Sequence, residues 1–225
     1  MDGYKITALI CTKNEANNLI HVLPKIPSWV TEVLLIDAHS SDKTVEVARE
    51  LCPQIKVLMQ PNKGKGDALR YGIGQAAGDI VVTLDADGTT EPDDMRKFIV
   101  PLIEGYDYVK GSRFLSSLPK KKPFYRIIGN WIITLTFDVL FLRTYTDLCS
   151  GYNAFWKEAI ERAHIWSDDG FADEPLINCR VRKANLKVIE IGCVDNGRIS
   201  GETNAPPWRQ GFGAIKTIIR ERFHS

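Results

Sequence analysis

The sequence predicts an α/β fold with a mostly parallel sheet and helices on both faces. Three observations predict it. Four short apolar runs rich in branched residues alternate with amphipathic segments through residues 1–104, and strands that alternate with helices pair in parallel. These runs end in polar residues, and in parallel sheets ligands gather at the carboxyl ends of the strands. The 225-residue chain is 44% hydrophobic and 25% charged, an ordinary globular balance with enough length for one large core.

The elements follow in order. Residues 5–11 are an apolar strand, and 15–26 a helix that stops near Pro24 and Pro27, since proline ends helices. Residues 32–36 are a second strand ending at Asp37, and 42–51 a helix with Asp42 as N-cap. A third strand covers 55–59. Gly64-Lys65-Gly66 opens an amphipathic helix over 65–76. A fourth strand covers 79–84, and Pro92 starts a helix that runs to 103. The second half carries a short strand at 108–111, a basic run Lys120-Lys121-Lys122, and a long apolar helix or helix pair over 125–142. A strand at 148–156, a helix at 173–184 and a strand at 186–191 come next. Residues 197–207, rich in Gly, Ser, Thr, Asn and Pro, are a loop, and 208–223 a terminal basic helix. One domain over 1–225 is expected, with a ligand-binding half at 1–104 and a second half at 105–225.

Composition excludes several functions. A net charge of +1 gives no global basic field for nucleic acid. The five cysteines, Cys11, Cys52, Cys149, Cys179 and Cys193, contain no C-x-x-C pair; that argues for reduced thiols in a cytoplasmic protein and against a zinc site or disulfide scaffold. Met1-Asp2-Gly3-Tyr4 has no signal-peptide pattern. No apolar run is expected to span a bilayer, because the longest, 127–142, is interrupted by Asn130 and Asp138.

The most informative stretch is Val81-Val82-Thr83-Leu84-Asp85-Ala86-Asp87-Gly88. Residues at i and i+2 of an extended segment point the same way, so Asp85 and Asp87 project together from a strand end. Close carboxylates repel unless a cation or proton lies between them. Mg²⁺ or Mn²⁺, with phosphates completing the shell, is the natural partner; the alternative is a solvated Asp-Gly turn or helix cap. Gly64-Lys65-Gly66 points backbone N–H groups and a positive charge at the same crevice, which suits a diphosphate. It lacks the Walker spacing, and a plain glycine turn is the alternative.

Seven segments stand in one order: Cys11-Thr12-Lys13-Asn14-Glu15, Ile36-Asp37-Ala38-His39-Ser40-Ser41-Asp42, Asn62 through Arg70, Leu84-Asp85-Ala86-Asp87, Lys110-Gly111-Ser112-Arg113-Phe114, Thr146 through Tyr152, and Gly197 through Thr203. The first four strongly resemble family-two glycosyltransferases of the GT-A fold, across essentially the whole chain. The last three resemble polyprenyl-phosphate hexosyltransferases of the dolichol-phosphate-mannose synthase type. The resemblance implies a Rossmann-like donor half and an acceptor half. It implies a metal-dependent inverting transfer of a hexose from a nucleotide-diphosphate sugar, of GDP-mannose or UDP-glucose type, to a polyprenyl phosphate or a small soluble acceptor.

It also implies residue roles. Thr12, Asn14, Glu15, Asp37, Lys65, Asp85 and Ala86 would hold the nucleotide sugar, and Asp85 and Asp87 a divalent metal. Thr89 stands where relatives supply a further ligand. Ala38 replaces a second Asp that is frequent there, a departure that bears on the base. Arg113, Arg126, Arg198 and Ser200 would hold the acceptor phosphate, for which the guanidinium fork is suited. Asp173 and Glu174, with Asp87, are the catalytic candidates: one of the first two would be a general base for a hydroxyl acceptor, whereas an anionic phosphate needs none. Helix N-terminal roles remain open for Asn14-Glu15 and Asp173-Glu174. The apolar 125–142 stretch beside Lys120–Lys122 suits a peripheral membrane contact; a core or dimer-interface helix is the alternative. The alternatives in other classes are a soluble-acceptor transferase and a non-catalytic nucleotide-sugar-binding protein.

Overall fold

The computed structural model describes residues 3–116, 123–164, 174–201 and 207–223. In chain order the first half forms β1 (Ile6–Thr12), α1 (Ala16–Val22), β2 (Glu32–Asp37), α2 (Thr44–Leu51), β3 (Lys56–Met59), α3 (Lys65–Gln75), β4 (Ile80–Asp85) and α4 (Met95–Ile103). The second half adds β5 (Tyr108–Ser112), α5 (Arg113–Ser116), α6 (Phe124–Phe141), β6 (Asn153–Trp156), α7 (Lys157–Arg162), α8 (Glu174–Lys183), β7 (Val188–Gly192) and α9 (Pro207–Phe223). Prolines trim two expected helices. The helix at 15–26 becomes α1 followed by a tight 3-10 turn at Leu23–Lys25, and Pro92–Asp94 form a 3-10 turn ahead of α4.

The strands form one seven-stranded sheet in the order β3-β2-β1-β4-β6-β5-β7. All neighbours are parallel except that β6 runs antiparallel to both β4 and β5. The expected mostly parallel α/β sheet is therefore the observed one. Side chains alternate between its faces with the period of two that strands impose. Ile6, Ala8, Ile10, Val33, Leu35, Ile80 and Val82 join Leu19, Phe98 and Leu102 from α1 and α4 on one side. Leu9, Leu34, Ile36 and Val81 join Leu69, Ile73 and Ile177 from α3 and α8 on the other.

The strand expected over 148–156 is shorter, because its first half spends backbone N–H groups elsewhere. Asp147 N donates to Glu190, Leu148 N to Thr134 Oγ1 and Cys149 N to Asp147 Oδ1. What remains is a loop that delivers Ser150 and Gly151 to the open end of β4.

The apolar stretch is one helix, α6, ended by Leu142 in the left-handed conformation. Beginning at Phe124, its 18 residues are long and apolar enough to cross a membrane by length and composition, which corrects the expectation that no such run exists; Asn130 and Asp138 do not break the helix. One face is committed to protein. Ile133, Phe137 and Phe141, at helical spacing, pack with Tyr145, Leu148, Ala214 and Ile218. The other face leaves Tyr125, Trp131, Ile132, Leu135 and Val139 exposed. Lys120, Lys121 and Lys122 lie outside the described residues.

Candidate active site

Strand register builds the site. Thr12 of β1 lies opposite Asp37 of β2, and Cys11 opposite Asp85 of β4, so three carboxyl ends stand abreast. Lys65 opens α3 directly after Gly64, whose φ of +91° is a conformation few other residues adopt. Its ammonium lies 2.7 Å from Asp85 Oδ1 and 2.6 Å from Glu174 Oε1. Crowding by protein works against that charge, but the two carboxylates outweigh it, and the Lys65 pKa is held well above the ordinary lysine value. Lys65 thus links the end of β4 to the start of α8.

Gly151 has to be bare at this point. A Cβ there would come within 2.7 Å of Asp85 Oδ2 and 2.9 Å of Lys65 Nζ. Gly151→Ala is expected to displace that pair and weaken nucleotide-sugar binding about 10- to 100-fold, the worth of one charge-assisted hydrogen bond. Calorimetric titration checks it; unchanged affinity would separate the Lys65–Asp85 pair from donor binding.

Asp87 adopts a local turn in which its Oδ1 accepts from Thr89 N at 3.0 Å and Thr89 Oγ1 at 2.7 Å. Thr89 therefore braces Asp87. No cluster of three or more acidic, His or Cys side chains suited to a metal occurs among the described residues. Two carboxylates at one strand end still fit Mg²⁺ or Mn²⁺, which are commonly held by one or two carboxylates together with substrate phosphates. Asp85 and Asp87 are the residues that would hold the ion.

The residues read as nucleotide-binding divide into two groups. Lys65, Asp85 and the buried Ala86 line the strand end. Thr12 and Asp37 turn inward. Thr12 Oγ1 donates to Asp37 Oδ1 at 3.2 Å, and Ser40 donates its N–H and its hydroxyl to the same carboxylate. Asp37 is wholly buried, and its carboxylate braces the loop after β2. The cause is the register that sets it against Thr12. Asn14, at φ +57°, ties that loop to its neighbour by accepting from Ser41 N at 2.8 Å.

The residues read as acceptor-binding also move apart. Arg113 makes a bidentate pair with Asp147, Nε at 2.6 Å and Nη2 at 2.8 Å, and Asp147 is fully buried. That pair occupies the fork expected to meet a phosphate. Arg198 reaches Glu15 with Nη2 at 2.8 Å from both carboxylate oxygens, and Asp87 Oδ2 with Nη1 at 3.5 Å. It stands beside Asp87, just past the end of β4. Ser200 contributes backbone: its N–H donates to Asn18 Oδ1 and its carbonyl accepts from Arg198 Nε. The Arg126 side chain, partly exposed on α6, makes no hydrogen bond or ion pair among the described residues. Asp173 lies outside the described residues, whereas Glu174 is in the site through Lys65.

Sequence reasoning quoted one further residue within a motif but gave it no role. Lys110 is fully buried in β5, opposite Asn153, with its ammonium 3.4 Å from the Ser150 carbonyl. Burial lowers its pKa, opposed by the carboxylates of Asp147 and Glu190. A lysine between Tyr108-Val109 and Gly111-Ser112 in a central strand was the available signal.

Comparisons with known proteins bear on the family and the fold. Glycosyltransferase AglJ of Haloferax volcanii is 32% identical over 209 residues, covering 92% of this chain and 68% of the relative. The dolichol-phosphate mannosyltransferase of Pyrococcus furiosus is 29% identical over 88% of this chain and 58% of its own length. The dolichyl-phosphate hexose transferase of Haloferax volcanii is 26% identical over 96% of this chain and 92% of its own. Among solved structures, glucosyl-3-phosphoglycerate synthase from Mycobacterium tuberculosis, in complex with Mn²⁺, UDP and glucosyl-3-phosphoglycerate, superposes with a TM-score of 0.74 at 18% identity, covering 98% of this chain and 80% of that one. Residues 7–163 match Glycosyl transferase family 2, and the chain belongs to that family.

Proposed function

We propose that this glycosyltransferase moves a hexose, with inversion, from a nucleotide-diphosphate sugar of GDP-mannose or UDP-glucose type to a polyprenyl phosphate, working with Mg²⁺ or Mn²⁺ at a cytoplasmic membrane face. The observation that carries the reading is the meeting of Lys65, Asp85 and Glu174 at one sheet end, with Asp87 two residues beyond Asp85. Two relatives named for dolichol or dolichyl phosphate support the acceptor class.

The chain's own residues have distinct tasks in this reading. The α3 N-terminus and Lys65 bind the diphosphate. The divalent ion, when bound, offsets charge growing on the departing nucleoside diphosphate. Gly151 leaves room for the Asp85–Lys65 pair itself. Glu174, held by Lys65, orients that ammonium. Arg126, on the helix with the exposed apolar face, suits the acceptor phosphate. Phosphate oxygen is already anionic, so no strong base is required, and positioning supplies most of the acceleration.

The test is direct. Protein is incubated with Mg²⁺ or Mn²⁺ and a panel of UDP- and GDP-sugars, with and without a short polyprenyl phosphate, and released diphosphate is measured. Release that requires both the metal and the polyprenyl phosphate is expected. Turnover confined to a soluble acceptor would overturn the lipid reading, and nucleotide-sugar binding without any turnover would favour a binding protein.

The open face of α6 yields a separate expectation. Trp131 is 59% and Leu135 63% exposed, while Phe137 is fully buried and Phe141 nearly so. Trp131→Glu and Leu135→Asp should reduce co-sedimentation with anionic liposomes at unchanged melting temperature, and high salt should weaken it further by screening basic contacts. Phe137→Asp should instead unfold the protein, because it places a charge in the core. Wild-type protein that stays in the supernatant at low salt would count against a membrane contact.

A further inference from the structure

Each carboxylate that would hold a divalent ion already faces a cationic side chain, and the two cations are held differently. Lys65 is shared closely between Asp85 and Glu174. Arg198 touches Asp87 only at 3.5 Å. Its stronger contacts lie elsewhere: Nη2 is 2.8 Å from both Glu15 oxygens, and Nε is 2.7 Å from the Ser200 carbonyl.

Glu15 is buried and fixed in turn. Asn18 Nδ2 donates to its Oε2 at 2.6 Å, and the same Asn18 side chain clamps the Ser200 backbone in both directions. Burial raises the Glu15 pKa even against Asn18 and Arg198, as expected for a carboxylate removed from water. The strap over 195–201 is pinned to the metal loop as well. Ile199 N donates to the Asp87 carbonyl at 3.1 Å, Asn196 N to the Thr89 carbonyl at 3.0 Å, and Ile199 covers Gly88, where a Cβ would meet it at 2.3 Å.

Resting on the metal-dependent reading above, we propose that Glu15 is a positioning residue that parks Arg198 against Asp87, so that the guanidinium and a divalent cation compete for that carboxylate until a nucleoside diphosphate draws the guanidinium away. One carboxylate oxygen cannot serve a guanidinium and a divalent ion at full strength, and the two cations repel each other. A diphosphate offers the fork a better acceptor. Metal and diphosphate therefore reinforce each other's binding, reciprocally, as linkage requires.

Mn²⁺ binding, read from the electron-paramagnetic-resonance signal of the free ion, tests this with and without UDP or GDP. In wild-type protein either the UDP or the GDP arm should tighten Mn²⁺ binding at least ~5-fold, the lower end of ordinary site coupling. Arg198→Gln should bind Mn²⁺ without nucleotide at least ~5-fold tighter than wild type and lose most of the nucleotide-driven gain. Arg198→Lys keeps the charge but cannot span Glu15, Ser200 and Asp87 together, and should behave like Arg198→Gln. Glu15→Gln should weaken Mn²⁺ binding without nucleotide, since Asp87 is then the only carboxylate left to the guanidinium, which keeps the Ser200 carbonyl as its neutral partner. If that variant does not fold, the two Arg198 variants decide.

Unchanged or weaker Mn²⁺ binding in Arg198→Gln would overturn the proposal. So would tightening in the Gln variant but not in the Lys variant, which would mean a general charge effect. If no form of the protein binds Mn²⁺ with either diphosphate, the metal-dependent reading itself falls, and this proposal with it.

Discussion

Asp87→Asn is expected to lower kcat by about 10²- to 10³-fold, the usual loss when one charge-stabilising group is removed, while the protein remains folded. The structure explains the separation of the two effects. Asp87 Oδ1 accepts from Thr89 N and Oγ1, and an asparagine carbonyl oxygen accepts both in the same way. The side chain is 22% exposed, so no charge is left stranded in the core. What disappears is one anionic ligand for the metal and one counter-charge for Arg198. Metal-stimulated diphosphate release and thermal melting, measured together, check the expectation. Full activity of the variant, or of wild-type protein in excess chelator, would remove the metal from the mechanism.

Arg113→Ala carries the largest expected effect on stability. Asp147 is wholly buried, and Arg113 meets it through Nε, Nη2 and its own backbone N–H. Removing one partner of a buried pair leaves an uncompensated charge, at a cost of about 3–5 kcal/mol. In a domain of this size each kcal/mol lowers Tm by about 2–4 °C, so a fall on the order of 6–20 °C is expected. Burial by itself would raise the Asp147 pKa, yet Arg113 more than offsets this and the value lies below the ordinary one. A depressed carboxylate contributes stability that is present above its unfolded pKa of about 3.9 and lost as pH falls through the folded value. Wild type should therefore lose this part of its stability only in acid below about pH 4. Pairing Arg113→Ala with Asp147→Asn should recover much of the loss, because the lone charge is gone. A variant that melts like wild type but binds acceptor poorly would return Arg113 to the phosphate.

The sequence made the first half legible because each element there has a local signature. Branched runs that alternate sides, prolines at 24 and 92 and glycine at 64 mark strands, helix limits and a turn without reference to distant residues. Asp85 and Asp87 were legible for the same reason. In the second half the elements near 108–111, 125–142, 173–184, 186–191 and 208–223 were legible too, but the order and direction in which its strands join the sheet were not, because these are set by pairing. Nothing in Asn153–Trp156 encodes that it runs antiparallel between β4 and β5. Short helices at Arg113–Ser116 and Lys157–Arg162 follow strand ends directly and have no amphipathic span to read. At the site, residue types can be read along the chain and partners cannot. Arg113 finds Asp147, Arg198 finds Glu15 and Lys65 finds Glu174 across 34, 183 and 109 positions, and only the fold brings them together. Phe137 and Phe141 were misplaced for a related reason: the apolar run suited a membrane contact through these rings, but both turn into the core beside Ile133, and only the packing of α9 against α6 reveals it.

The clamp between Asn18 and Ser200 has a kinetic meaning as well. It joins positions 182 apart, and contacts so distant in sequence must wait for the largest loop to close. A chain made from its N-terminus assembles β1 through β4 and their helices before the strap exists. Glu15 and Asn18 then have each other but lack Arg198 and Ser200 while most of the core is already packed. Catalytic competence is thus among the last properties the protein acquires as it folds, and among the first it loses when the strap detaches.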